Sequence, residues 1–66
     1  MNNLIVMLDR WLNYANKFPE HAKQYFSQAF GMVEYHLYLF PNEGDKVEKL
    51  WNDTYRPQFE KIIYRY

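Results

Sequence analysis

Pro19-Glu-His-Ala-Lys-Gln-Tyr-Phe-Ser-Gln-Ala-Phe-Gly-Met-Val-Glu-Tyr-His-Leu-Tyr-Leu-Phe40 decides the fold. One proline opens the stretch and Pro41 closes it. On a wheel of about 100° per residue, Ala22, Phe26, Ala29, Val33, Leu37 and Phe40 share one stripe. Tyr25, Met32 and His36 widen it on one side and Phe30 on the other. The apolar arc approaches half the circumference, the width a middle helix needs to pack against two neighbours. A helix over 19–40 is therefore predicted. Proline at the first helical position loses no hydrogen bond, and Glu20 meets the positive end of the helix dipole.

Upstream, a helix is predicted over about 3–17. Asn2 or Asn3 is the expected cap, because a short side-chain oxygen accepts from free first-turn amides. Leu4, Met7, Leu8, Trp11, Ala15 and Phe18 form its inward stripe, with Leu12 and Tyr14 beside it. Asp9, Arg10, Asn13, Asn16 and Lys17 lie opposite, with Val6 the one apolar residue among them. The short link to Pro19 makes the first two helices antiparallel neighbours.

Downstream, Pro41-Asn-Glu-Gly-Asp45 is a turn by its residue chemistry. Asp45 is the expected N-cap of a third helix over about 45–55, with Glu48 completing an acidic capping box. Val47, Leu50, Trp51 and Thr54 share its face, with Tyr55 at the edge. Beyond Pro57 the apolar set is Phe59, Ile62, Ile63 and Tyr66, rotated by roughly 100° from the first set. One straight helix cannot aim both sets at one core. A kink or turn is therefore expected at 55–57, followed by a short helix over 57–65. No segment alternates with period two, so the fold class is all-α: a small three-helix bundle in a single domain over 1–66.

Composition narrows the function. With 66 residues, the chain buries only about 60% of its unfolded surface. It has no cysteine, hence no disulfide and no thiolate metal site. No apolar run approaches the roughly 20 residues of a membrane span. The N-terminus lacks the basic segment of a signal peptide, so a cytoplasmic protein is expected. Abundant Asn, Lys, Tyr, Phe and Ile, all with AT-rich codons, suit a low-GC bacterium, phage or mobile element. Eight basic and eight acidic residues cancel, and the basic ones are scattered singly, which argues against nucleic acid as partner.

No residue set announces chemistry. His21 and His36 are too far apart for an i, i+4 metal pair, and no third His or Cys exists. Ser27 and Thr54 are the only hydroxyls besides tyrosine, and Gly31 and Gly44 stand alone rather than in a phosphate loop. The chain is read as non-enzymatic, with no cofactor and no metal.

What stands out is aromatic content: two Trp, seven Tyr and five Phe, or 21% of the residues. A three-helix core cannot enclose them all, so some are expected at the surface. Opposite the core stripe of the central helix lie Gln24, Ser27, Gln28, Gly31, Glu34, Tyr35 and Tyr38. Glycine inside a helix costs roughly 0.8–1 kcal/mol against alanine, which a merely solvated face does not call for. Three readings follow. The face docks a partner, with Tyr35 and Tyr38 as anchors beside Gly31. Or the terminal segment folds over it, burying both tyrosines beneath Phe59 and Ile62, or Gly31 divides the helix. Or the glycine is neutral. A second candidate surface is the tail, with Tyr55, Arg56, Phe59, Tyr64, Arg65 and Tyr66. The expected function is a protein-binding inhibitor or adaptor; the alternatives are a homo-oligomer that buries its surplus aromatics and a small DNA-binding regulator.

Overall fold

The computed structural model describes residues 1–65. Tyr66, counted above with the terminal apolar set and the tail surface, lies outside them. Among the described residues there is no strand, and the chain forms a three-helix bundle. Helix α1 spans Asn2–Lys17 and α2 spans Ala22–Leu39. The third rod comprises α3, Gly44–Leu50, a π turn, Trp51–Tyr55, and α4, Arg56–Arg65. Its helical path is unbroken from Gly44 to Arg65.

The two corners are built alike. Phe18 and Phe40 each leave the α region, with φ near −130° and ψ near 68°. A residue that precedes proline is pushed out of that region by the proline ring. Each still donates its N–H to the preceding turn, Phe18 to Tyr14 and Phe40 to His36, both at 2.8 Å. A 3₁₀ turn follows each time, Pro19–His21 and Pro41–Glu43, leading directly into the next helix. The central α-helix therefore begins at Ala22 rather than Pro19. The expected caps are not used either. Neither Asn2 nor Asn3 caps α1, which starts at Asn2 itself, and α3 starts at Gly44 without a capping bond from Asp45. There the 3₁₀ turn feeds helical backbone straight into α3, so Asp45 is already inside the helix.

The core joins all three rods. Leu4, Leu8, Leu12 and Ala15 of α1 meet Ala22, Ala29 and Val33 of α2, and Val47, Trp51, Tyr55 and Phe59 of the third rod. Leu12, placed beside the inward stripe by sequence, is a buried member of it, while Phe18 and Phe40 are about half exposed at the corners. Being held out of the helix before proline, neither phenylalanine continues its stripe. Trp51 is the aromatic hub: its ring centroid lies 5.5 Å from Phe26, 5.8 Å from Phe30 and 6.1 Å from Phe59.

The irregularity expected near Arg56-Pro57 exists, but the chain does not leave the helix. Val47, Trp51, Tyr55 and Phe59 recur every fourth residue and all are buried. In an α-helix each such step advances about 40°, so the four would spread over about 120°. The π turn inserts one residue, and Arg56 N–H reaches back to the Trp51 carbonyl in an i→i+5 bond. One inserted residue is worth about 100°, which returns Phe59 to the face of Val47. Arg56 stays in the α region at φ −54° and ψ −47° despite the proline after it. A wider turn separates the Pro57 ring from the carbonyl it would otherwise strike. Deleting Asp53 alone should therefore destabilise the protein by about 3 kcal/mol through Pro57. Deletion combined with Pro57→Ala should recover a cooperative urea transition, because Val47, Trp51, Tyr55 and Phe59 then suit a regular helix.

The π turn also places Tyr55, buried at 4% exposure, so that its hydroxyl donates to Asp9 Oδ1 of α1 at 2.6 Å. Burial, then the hydrogen bond and the Asp9 charge, push the phenol up to about 12. A raised folded value means that this contribution is intact below the ordinary phenol range near 10 and is lost as pH climbs through about 12. One tyrosine should ionise last in an ultraviolet titration, and Tyr55→Phe should remove that phase while lowering stability by about 1.5 kcal/mol.

Candidate functional site: the outer face of α2

α2 runs through Gly31 without a break, so the glycine does not divide the helix. A Cβ built at Gly31 meets nothing within 4 Å. No described residue of the terminal segment therefore lies over this glycine. Tyr35 is 62% exposed and Tyr38 81%. Phe59, which one reading placed above them, is fully buried on the opposite side of α2, 5.6 Å from Phe26. It faces inward because the π turn directs α4 at the core. Gln24, Ser27, Gln28 and Glu34 share the exposed face.

Two apolar grooves flank this ridge. One, of about 350 Å³, lies between α2 and the third rod. Phe30, Val33, Leu37 and Trp51 form its apolar lining, with Glu34 and Glu48 among its polar residues. The other, of about 210 Å³, lies between α2 and α1, lined by Leu4, Met7, Met32, Tyr35, Leu39 and Phe40. Both grooves lie along the C-terminal half of α2, on either side of Tyr38.

A polar clasp holds the end of that half. His36 Nε2 and Glu43 Oε1 are 2.9 Å apart, tying the last turn of α2 to the 3₁₀ turn after it. That hydrogen bond keeps the Glu43 carboxyl below its ordinary range against the opposing effect of burial, with the Met1 amino group, the His36 charge and Lys46 assisting. The His36 ring packs on Phe40 with centroids 4.8 Å apart. His36 is thus half-buried, as its place on the wheel implies, and is held by a local carboxylate.

The tail surface fares differently. Tyr55 is not at the surface: it faces the core because of the π turn, and its hydroxyl is engaged by Asp9. Arg56 is exposed, lines the larger groove and pairs with Glu60, Nε to Oε1 at 3.3 Å. Tyr64 is 80% exposed on α4 and Arg65 is exposed beside it. Sequence reasoning missed Phe30, Leu39 and Phe40 as exposed apolar neighbours of the tyrosines. The signal was the run Met32-Val33-Glu34-Tyr35-His36-Leu37-Tyr38-Leu39-Phe40, which has too few polar residues for a half-solvated helix. Among the described residues no three metal-ligating side chains converge, and no helix is long and apolar enough to cross a membrane. Compared with known protein families, curated proteins and solved structures, the chain matches none.

Gly31 adopts ordinary helical backbone and has open space around it. Gly31→Ala should therefore raise stability by about 0.5–1 kcal/mol, read from urea denaturation, by removing unfolded-state freedom.

Proposed function

We propose that this protein is a non-enzymatic binding module, a small inhibitor or adaptor that docks another protein chain on the outer face of α2. One observation carries the reading: two exposed tyrosines stand beside a helix-interior glycine that none of the described residues covers. Tyrosine supplies a large rigid contact area with a polar tip, and it is enriched among residues that dominate interface energy. The glycine lets a partner backbone approach closely beside them. The flanking grooves offer apolar sockets, and a contiguous apolar patch rimmed by polar groups is the usual mark of an interaction surface. A small phage or mobile-element factor of this kind fits the composition.

The test uses Gly31→Arg. The substitution fills the open space with a long charged side chain and leaves the core untouched. The fold and its thermal transition should survive. In side-by-side affinity capture from the source cells, a chain retained by the wild-type protein should be lost from the Gly31→Arg protein. Identical retention by both would sink the reading.

A further inference from the structure

The geometry points to a second copy of this chain as the occupant of the α2 face, packed antiparallel across a two-fold axis at Gly31. This rests on the docking reading above and names its partner.

Position comes first. Gly31 sits at the middle of Ala22–Leu39. A crossing there overlaps both helices along their whole length of about 27 Å. Without a Cβ at the crossing, the two backbones approach more closely than the usual 8–10 Å or so between helix axes.

Chemistry comes second, because the two halves of the face differ. The N-terminal half carries donors: Lys23, Gln24, Ser27 and Gln28. The C-terminal half carries Glu34, Tyr35 and Tyr38. About a two-fold axis at Gly31, helix geometry sets matching heights and sides. Gln24 faces the second copy's Tyr38, Ser27 faces its Glu34, and Gln28 faces its Tyr35. Lys23 reaches toward that same Glu34. Among the described residues, Glu34 and Lys23 make no ion pair within the chain, and the Tyr35 and Tyr38 hydroxyls make no hydrogen bond. The antiparallel pairing supplies each with a partner. A parallel pairing sets Glu34 level with Glu34 and Lys23 level with Lys23, where like charges oppose each other.

Area comes third. A stable interface takes about 800 Å² from each partner, about a sixth of the 4884 Å² surface. Exposed Phe30 and Leu39, on the two flanks of α2, add apolar area to the face. By two-fold symmetry every contact is made twice.

The natural chain has no cysteine, so single-cysteine variants report directly. Under mild oxidation at micromolar concentration, Gly31→Cys should form a disulfide dimer, since its two copies meet at the axis. Tyr38→Cys should not, because its two copies lie about 21 Å apart along the helices. Glu34→Lys should weaken dimerisation about tenfold in sedimentation, and adding Lys23→Glu should restore it. Cross-linking through Tyr38→Cys as readily as through Gly31→Cys would overturn the antiparallel arrangement. A wild-type chain that sediments as a monomer at tens of micromolar overturns self-docking. If that monomer still retains a partner lost on Gly31→Arg, the docking reading survives the loss of this inference; if it retains none, both fall.

Discussion

A repeat of four residues cannot stay on one face of an α-helix, and the third rod carries such a repeat. Val47, Trp51, Tyr55 and Phe59 all reach the core only because the turn between Trp51 and Tyr55 is one residue wide of regular. Much else depends on that turn. It aims Phe59 at Phe26 and Trp51, and the Tyr55 hydroxyl at Asp9. It keeps the rod continuous through Pro57, so one piece of helix spans the bundle where a broken one would have needed its own packing. π turns are rare and recur at functional places. Here the physical role is plain without one: it corrects a phase error of about 100°.

The Phe-Pro corners set the remaining geometry. Each holds a phenylalanine half out of the bundle and reverses the chain within a few residues. Short links make neighbours antiparallel, and three antiparallel rods leave each helix one outward face. For α1 and α4 that face is mainly polar. On α2 it also carries exposed Tyr35 and Tyr38, with half-exposed Phe30 and Leu39 to either side. The His36–Glu43 clasp fixes the end of α2 and orders Phe40 beside it. The exposed tyrosines thus stand on a rigid support, with a groove on either side.

A chain of this size has a high ratio of surface to core. Its aromatic residues exceed what three rods can enclose, and Tyr35, Tyr38 and Tyr64 remain outside. Glycine, exposed tyrosine and apolar grooves coincide on the outer side of α2.

Sequence by itself determined the helical class, the helix count and the face of α2 turned to the core. These follow from the spacing of apolar residues and from three prolines, both local properties. It also revealed that Val47 and Phe59 sit out of phase. It did not say how the mismatch is resolved, because a break and a widened turn satisfy the same pattern. That choice belongs to the tertiary structure: only with Phe26, Asp9 and Trp51 in place does one continuous rod bury all four residues. Tyr55 shows the consequence. By composition it is an interface residue beside Arg56, and by packing it is a core residue bonded to α1. Gly31 shows the converse. Its wheel position could not distinguish an open face from one covered by the terminal segment. The direction of α4, set by the π turn, leaves it open.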